Sequence, residues 1–496
     1  MLNDTLLESI GLPQLVPPTM TQWRPLVIEG MQFFLERLPE HHQETILADQ
    51  LALPPDANAA TRLVTLLSQC PTLHKLGQVL ARNRHIPIEV RTQLQTLESM
   101  LPATPMDQVL ARVHSELPHD AQVTLAEHAL AEGSVAVVLP FTYQQDGETR
   151  HGVFKVLKPG VEEQFAEEIA VWHELGDFLE ERSRTLGLPR LAYRQTFESV
   201  LELLNKEIHL QVEQHNLAEA HAFYANEPRV LIPRLLPWCT PRMTAMERVF
   251  GVKVTDASLS RKRRSELASV MVSALIGQPF WSMAHTAVFH GDLHAGNLFV
   301  THDGRLAVLD WSLTARLSKA DRETLVAIVL GGLTLDAGRI RSAVATLGAI
   351  AADDTALREA AERALDLVVL DGRLPGFEWL MAFLDELALA SPTGFREDFV
   401  LFRKTWFSLS GVIGDLVGEH APDIQLLGQG LVRFAEEIPA RLFAPPESTQ
   451  FSTHVANADL LRMCASAWLV PLRYWARSWQ GRAPETEAHA LHLTGS

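Results

Sequence analysis

The sequence predicts an α+β fold in which a small β-rich lobe is followed by a larger helical lobe and preceded by a helical extension. Apolar residues recur at helical spacing through the first 120 residues, short β-rich runs begin near residue 121, and helical patterns dominate from Asp256 onward. The 496 residues allow about three units at ~150 residues per domain. We expect units at residues 1–120, 121–250 and 251–440, with a helical tail at 441–496.

The helical extension is predicted from two periodic stretches. Residues 20–50 mix apolar and polar positions at helical spacing, and a second helix is expected from about Ala60 through Leu80. The stretch from Leu53 to Asn58 contains two prolines, which is typical of a break between helices.

The β-rich lobe is predicted from one hairpin. Val135–Leu139 and Val153–Leu157 are rich in β-branched residues, and Asp146-Gly147 between them is a turn signal. The elements expected next are helices at 161–185 and 197–223 and strands at Val230–Pro233 and Arg242–Val249.

The helical lobe contains a second short hairpin, from Leu298–Val300 to Leu306–Leu309, around the turn Asp303-Gly304. Near the end of the chain, Leu460–Trp479 is apolar but interrupted by three arginines and a proline. We interpret it as an amphipathic or packing helix.

The charge and cysteine content exclude several classes of protein. Lys and Arg number 43 against 60 Asp and Glu, so the net charge is −17, which argues against a nucleic-acid partner. The three cysteines, Cys70, Cys239 and Cys464, lie far apart, which excludes a zinc ribbon or a disulfide scaffold and suits a reducing compartment. The first residues lack the basic start and apolar core of a secretory signal.

One stretch, Leu267–Phe289, carries no charged residue and follows four basic residues, so its length alone would allow a membrane span. Gln278, Pro279 and His285 interrupt it, and it leads directly into a very polar motif. We therefore predict a buried helix ahead of that motif. Any membrane contact is expected to be peripheral, on the inner face, and the expected location is the cytoplasm.

The motif that carries chemistry reads His290-Gly-Asp-Leu-His-Ala-Gly-Asn-Leu-Phe-Val300, followed by Leu309-Asp-Trp-Ser312. Two carboxylates and an amide, Asp292, Asn297 and Asp310, suit a hard divalent cation and an attacking hydroxyl or water. This is the layout of kinase-type phosphoryl transfer, in which Asp292 positions the nucleophile while Asn297 and Asp310 hold magnesium. Two other interpretations explain fewer residues: loop residues that cap helices, or a zinc site of His285, His290 and His294.

Kinase-type transfer also needs a lysine and a glutamate upstream. Lys155 lies within a β-run among apolar residues, with Lys158 as a rival, and Glu213 lies on the following helical stretch. The pair would hold the lysine against nucleotide phosphates. The alternative for Lys155 is an outward-facing lysine on an edge strand. The alternative for the glutamates is a solvated charged helix face, which suits Glu219 better than Glu213.

The phosphate-covering loop is expected at Ala131-Glu132-Gly133-Ser134, since no G-x-G-x-x-G precedes the lysine strand. Gly133 would allow close backbone approach. Glu132 would repel phosphates unless it faces away or meets a cation. The connector Thr244–Gly251, including Glu247 and Val249, is expected to hold adenine through backbone groups.

Upstream, Lys75-Leu-Gly77-Gln78 forms a K-x-G-Q segment. With these motifs the chain resembles the UbiB/AarF (ADCK) family of atypical protein-kinase-like proteins from about residue 65 to about 420. The resemblance implies a bilobal kinase-like fold that binds ATP or ADP with Mg²⁺. It also implies that the K-x-G-Q segment folds over the active site, that Glu207 is the first acid of an E-x-D motif, and that Ala131 and Ser134 end an alanine-rich loop. Phe402-Arg403 through Gly411 resembles the family's late helix.

The resemblance further implies ATP hydrolysis coupled to lipid or isoprenoid-quinone biosynthesis, with a lipid or quinone precursor and biosynthetic proteins as partners. Several residues depart from the family pattern: His209 for the Asp of E-x-D, Glu132 and Gly133 for alanines, Ser312 for glycine, and Leu293 and Ala295 for prolines. Two other functions stay open. One is a small-molecule phosphotransferase of the aminoglycoside or choline kinase type, which lacks the Lys75–Gln78 segment. The other is a nucleotide-sensing pseudokinase scaffold.

Overall fold

The computed structural model describes residues 18–57, 59–81, 104–188, 193–347, 350–390, 396–418 and 422–480. The chain divides into two compact units. The first comprises Met1–Ala218 and Pro233–Arg248, and the second comprises Glu219–Ile232 and Val249–Ser496.

The helices of the extension and β-rich region follow a 3-10 turn at Pro18–Trp23. They are α1 (Arg24–Arg37), α2 (Glu40–Ala52), α3 (Ala59–Gln69), α4 (Pro71–Ala81), α5 (Met106–Glu116), α6 (Val161–Thr185), α7 (Tyr193–Ile208) and α8 (Leu210–Phe223). The strands are β1 (Val123–Leu125), β2 (Ala131–Glu132), β3 (Ala136–Gln145), β4 (Glu148–Leu157), β5 (Val230–Leu231) and β6 (Met243–Glu247).

The sheet of the first unit is built on the predicted hairpin. Strands β3 and β4 pair from Ala136 opposite Leu157 to Gln145 opposite Glu148, and the sheet order is β1-β3-β4-β6 with β2 also paired to β3. The turn residues Asp146 and Gly147 have φ of 51° and 78°, the left-handed backbone that a two-residue hairpin turn requires. The register places Lys155 between Val138 and Thr244 on the neighbouring strands.

Two helices predicted as continuous are each divided in the structure. The stretch 60–80 breaks before Pro71, because proline has no backbone N–H with which to continue the helix but suits the first position of the next one. The stretch 197–223 breaks at His209, whose ring Nδ1 lies 2.6 Å from the carbonyl oxygen of Asn205. In a continuing helix that oxygen would accept the backbone N–H of His209.

The second unit continues with β7 (Gly251–Lys253), α9 (Arg261–Val272), a π-helical turn at Ser273–Gly277, a helical turn at Gln278–Phe280, β8 (Thr286–His290), a 3-10 turn at Ala295–Asn297, β9 (Leu298–Thr301), β10 (Leu306–Val308) and β11 (Thr314–Ser318). It ends with α10 (Lys319–Leu333), α11 (Ala337–Thr346), α12 (Thr355–Leu370), α13 (Phe377–Ala390), α14 (Glu397–Val417), α15 (Pro422–Arg441), α16 (Asn457–Ser466) and α17 (Leu469–Gln480). The strands form a sheet of order β5-β10-β9-β7 and a separate pair β11-β8.

The prediction that a buried helix leads directly to the polar motif was wrong in part. The helical segment is buried but ends at Phe280, and strand β8 leads into the motif. The connecting loop is held by the fully buried guanidinium of Arg322, which donates to the carbonyl oxygens of Phe280 (3.1 Å), Ser282 (2.7 Å) and Ala284. Among the helices that the structure describes, none is both long and apolar enough to cross a membrane.

The sequence did not predict β1, β2, β7, β8 or β11, because strands of two to five residues contain too little alternation to be recognised. The predicted tail helix at Leu460–Trp479 is two helices, α16 and α17. Arg473 and Arg477 face the unit and pair with Asp336 (3.0 Å) and Asp366 (3.0 Å), which supports the packing interpretation of this segment.

Candidate functional site

In the second unit, backbone and side-chain hydrogen bonds tie the polar motif to the hairpin that follows it. The Nδ2 of Asn297 donates to the carbonyl oxygen of Asp292 at 3.1 Å, and the N–H of Leu309 donates to the carbonyl oxygen of Asn297 at 2.9 Å. The N–H of Gly291 donates to the carbonyl oxygen of Leu313 at 2.7 Å. These hydrogen bonds join the ends of β8 and β10, so that Asp292, Asn297 and Asp310 lie on one connected system of loops.

His290 fixes the position of this loop through both nitrogens of its ring. Its Nε2 lies 2.9 Å from the carbonyl oxygen of Leu309, and its Nδ1 accepts the N–H of Asp292 at 3.1 Å. Burial lowers the pKa of His290, although the Leu309 carbonyl and the carboxylates of Asp292 and Asp310 oppose this effect. A neutral ring with its proton on Nε2 satisfies both contacts.

Asp310 adopts an uncommon backbone conformation, with φ of 56°. This left-handed region is strained for a residue other than glycine, so the surrounding contacts must hold it. Its Oδ1 accepts the N–H of Ser312 at 3.3 Å, and the adjacent Trp311 is buried against the ring of His290 at a centroid distance of 4.8 Å. The Ser312 N–H thus helps to orient the Asp310 carboxylate, and the buried Trp311 holds the adjacent backbone.

The donor atoms of this loop fit magnesium. Because Asn297 uses its Nδ2 on a backbone carbonyl, its Oδ1 is the side-chain atom left to bind a ligand. Amide and carboxylate oxygens, from Asn297 and Asp310, are the ligands that Mg²⁺ prefers. The zinc alternative does not fit, since both ring nitrogens of His290 are engaged and Nδ1 of His294 accepts the N–H of Gly296 at 3.0 Å. The capping interpretation holds for His294, whose side chain caps the 3-10 turn at Ala295–Asn297.

Asp292 has a cationic neighbour that the sequence did not predict. Its Oδ1 lies 3.1 Å from Nζ of Lys404 on α14, and its Oδ2 lies 4.0 Å from Nε2 of His294. The residue after the lysine, Thr405, donates its hydroxyl to the carbonyl oxygen of His290 at 2.7 Å. The sequence identified this helix by resemblance, but no local pattern pointed to its contact with the loop.

In the first unit, Lys155 and Glu213 form an ion pair. Nζ of Lys155 lies 2.8 Å from Oε1 of Glu213, and the side chains are 15% and 2% exposed. Glu213 lies in the first turn of α8. A carboxylate this deeply buried keeps its charge only beside a cation, so the contact fixes the end of the lysine side chain.

The rival lysine has a different partner. Nζ of Lys158 lies 2.7 Å from Oε1 of Glu132, and the Glu132 carboxylate also accepts the N–H (3.0 Å) and hydroxyl (2.9 Å) of Thr104. Burial by itself would raise the pKa of Glu132, but Lys158 and Thr104 bring it below the ordinary value. The negative charge in the phosphate-covering loop therefore meets a cation, which is one of the two conditions the sequence required.

The rest of that loop lies close to the K-x-G-Q helix. Ser134 donates its hydroxyl to Oε2 of Glu207 at 3.1 Å, and Lys75 on α4 pairs with Oε1 of the same carboxylate. Ala131 and Gly133 are exposed, and a Cβ added at Gly133 would meet only the Ala136 carbonyl oxygen, at 3.7 Å. The backbone at Gly133 is therefore open to approach.

The remaining predicted site residues are placed as follows. Gly77 is buried on α4, and Gln78 follows it there with a side chain outside the described part of the structure. Glu247 on β6 pairs with Arg234 at 2.9 Å, and its N–H donates to the Arg234 carbonyl oxygen at 2.9 Å, so neither group is free for adenine. Val249 is half-buried at the start of the second segment of the second unit.

These elements and side chains define a kinase-like protein: a β-sheet region bearing a Lys–Glu pair, and a mostly helical remainder bearing an Asp/Asn/Asp loop. Comparison with known families gives the particular one. Residues 96–344 match the family model described as the ABC1 atypical kinase-like domain, and the chain belongs to that family. The predicted family and the predicted α+β kinase-like fold are confirmed.

Two relatives illustrate the family. The chain is 27% identical over 293 residues to the Arabidopsis thaliana protein named "ACTIVITY OF BC1 COMPLEX KINASE 1, chloroplastic", covering 57% of this chain and 42% of that one. It is 25% identical over 348 residues to a "Probable protein kinase UbiB" of Shewanella sp. (strain W3-18-1), covering 68% of this chain and 59% of that one. The matches therefore span about half the length of these relatives.

A solved structure of Rv3197 from Mycobacterium tuberculosis, described as a complex with erythromycin, aligns with a TM-score of 0.47 and 16% identity. The alignment covers 71% of this chain and 89% of that chain.

Proposed function

We propose that the chain is a Mg-ATP-binding atypical kinase or ATPase of the UbiB type. The observation that carries the proposal is the hydrogen-bonded loop system of Asp292, Asn297 and Asp310, which supplies the amide and carboxylate oxygens that magnesium prefers and a carboxylate for the nucleophile. The Lys155–Glu213 pair is the second support, because kinase-type transfer uses such a pair to hold nucleotide phosphates.

Each residue has a stated task in this proposal. Asp292 orients the attacking water or hydroxyl through its carboxylate, and Lys404 holds that carboxylate in place. Asn297 and Asp310 would hold magnesium, which supplies neutralisation of phosphate charge when bound. Lys155, oriented by Glu213, binds phosphate oxygens of ATP or ADP.

The covering loop has a narrower task. Glu132 is neutralised by Lys158, so the exposed backbone at Gly133 can approach a phosphate without facing an unpaired negative charge. Lys75, Ser134 and Glu207 join this loop to the K-x-G-Q helix, which supports a role for that helix in controlling access to the nucleotide. Aminoglycoside and choline kinases lack this segment, so the cluster argues against that alternative.

We further propose that the activity serves isoprenoid-quinone or other lipid-linked metabolism, which the UbiB resemblance implies. The expected partners are a lipid or quinone precursor and biosynthetic proteins, with no nucleic acid. The expected location is the cytoplasm, with peripheral contact to the inner face of a membrane.

The test is a magnesium-dependent ATPase assay on the full chain, with and without lipid vesicles and phenolic compounds. Asp310→Asn should abolish phosphate release while the folded state persists by circular dichroism. Asp303→Asn is the matched control, because Asp303 is an exposed turn residue paired with Arg305 and should leave turnover unchanged. Undiminished turnover in Asp310→Asn would overturn the proposal, and nucleotide binding without any phosphate release would favour the pseudokinase scaffold instead.

A further inference from the structure

Three buried ionisable side chains meet in the first unit, apart from the residues assigned to the nucleotide. His42 on α2, Cys70 between α3 and α4, and Glu168 on α6 are 2%, 0% and 0% exposed. One candidate ligand atom from each residue lies within 4.8 Å of the other two. A glutamate is seldom fully buried, and a buried glutamate or histidine is costly to remove from water without a partner.

The ring of His42 is oriented as in a metal ligand. Its Nε2 lies 3.0 Å from the carbonyl oxygen of Gln69, so the ring proton is donated there and the lone pair is on Nδ1. Nδ1 makes no hydrogen bond with any residue that the structure describes, and it lies 3.4 Å from Oε2 of Glu167. Metal-bound histidines typically donate their other ring N–H to a backbone carbonyl or a carboxylate in this way.

The carboxylate of Glu168 is satisfied on one oxygen only. Oε2 accepts the N–H of Thr72 at 2.9 Å and also its hydroxyl, whereas within the described part of the chain no donor reaches the buried Oε1. The unsatisfied Oε1 of this fully buried carboxylate is thus available to a cation that Cys70 and His42 also reach.

We propose that His42, Cys70 and Glu168 bind a structural Zn²⁺ ion, with Oε2 of Glu167 as the fourth donor. Zinc is held in closed sites by nitrogen, sulfur and carboxylate ligands, and a thiolate selects it over Mg²⁺ or Ca²⁺. Zn²⁺ with the Cys70 thiolate and the carboxylates of Glu167 and Glu168 carries a net charge of −1, and Glu167, the donor that brings the extra charge, is 25% exposed. Tetrahedral donors at about 2.0–2.3 Å lie about 3.3–3.8 Å apart, so side-chain movements of about 1 Å would bring the ligand atoms of His42, Cys70 and Glu168, now within 4.8 Å of one another, to that spacing.

Binding exchanges a proton for the ion, because the Cys70 thiol releases its proton to solvent as Zn²⁺ enters. The ion would join α2 and α6 at the residue directly before Pro71, where α4 begins. Helix α4 carries Lys75, so the site would stabilise the base of the K-x-G-Q helix. This role is independent of nucleotide turnover.

The test measures metal content of the purified full chain by plasma mass spectrometry after dialysis. Wild type should carry about one equivalent of zinc, and Cys70→Ala and Glu168→Gln should lose it. Cys464→Ala and His173→Gln are matched controls, since Cys464 is exposed and His173 is an exposed histidine on the same helix as Glu168, and both should keep the metal.

A second measurement uses the wild-type protein alone, so its result does not depend on whether the variants fold. Removal of metal by a chelator should lower Tm, and zinc should restore it, while cobalt should give the absorption of a thiolate-bound ion. Wild type without zinc and without a zinc-dependent Tm would overturn the proposal. Full metal content in Cys70→Ala, or its loss in Cys464→Ala, would overturn it as well.

Discussion

Nζ of Lys404 lies 3.1 Å from Oδ1 of Asp292, joining helix α14 to the loop that follows β8. Thr405, the next residue on the helix, anchors the same loop by its hydroxyl bond to the carbonyl of His290. The helix therefore sets the position of the loop through one neutral contact and one charged contact.

Lys404→Met should lower kcat of the proposed ATPase by roughly 10- to 100-fold, about 1.4–2.8 kcal/mol, because Asp292 would lose the cation that orients it. The KM for MgATP should change little, since the lysine contacts the carboxylate rather than a residue assigned to the nucleotide. Steady-state kinetics measure this split. Lys404→Arg should restore most of the rate, and Arg403→Met, which removes the adjacent cation paired with Asp385, should be nearly silent. An equal loss in both Met variants would contradict a positioning role.

Glu213→Gln should lower kcat/KM for MgATP, because the substitution removes the ionic partner of Lys155. The lysine would keep its place on β4 but lose the partner 2.8 Å away, so kcat/KM should fall roughly 10- to 100-fold. Glu219→Gln is the matched control on the same helix, because its carboxylate pairs with Arg316 in the second unit. Equal effects of the two substitutions on kcat/KM would show that helix charge, rather than the lysine contact, is responsible.

Glu132→Gln should destabilise the protein by roughly 1–3 kcal/mol, because Lys158 would remain nearly buried without its counter-charge. Lys158→Met alone should cost a similar amount by stranding Glu132. The double variant should be more stable than the sum of the single losses predicts, since neither charge is then left alone. Urea unfolding of the four proteins measures this coupling, and strict additivity would count against the pair.

Acid stability should depend on His454, which is buried against the carbonyl oxygen of Phe280. Burial lowers its pKa to about 4, with Arg322 and Lys319 adding to the effect and the Phe280 carbonyl and Glu437 opposing it. The unfolded chain binds this proton near the ordinary pKa of 6.5, whereas the folded chain does not. Stability should therefore fall as pH drops from about 6.5 to about 4, by about 3 kcal/mol in total.

The measurement is chemical unfolding across that pH window in wild type and His454→Asn, since Asn tolerates the φ of 61° at this position. In the variant, the free energy of unfolding should lose most of the pH dependence that His454 causes. Burial raises the pKa of Asp423 to about 6, which gives a slope of opposite sign in both proteins and cancels in the difference. His302→Asn, at an exposed position, should keep the wild-type slope, and a matching flattening there would contradict the assignment.

Local patterns in the sequence were enough to predict the long hairpin, the kinase-like loop, the family and the fold class. The Asp146-Gly147 step identified the long hairpin, and the spacing of Asp292, Asn297 and Asp310 identified a kinase-like loop, because turn chemistry and short motifs are encoded by neighbouring residues. Lys155 and Glu213 followed from the order strand then helix. The family and fold class could therefore be stated before any coordinates.

The tertiary structure alone decided which distant side chains meet. Lys404 reaches Asp292, Lys158 neutralises Glu132, and His42, Cys70 and Glu168 converge from separate helices and a loop. Sequence periodicity reports which face of an element is apolar, but it does not report which faces pack together. Contacts between elements far apart in the chain depend on that packing, which is the physical reason that the sequence did not predict these contacts.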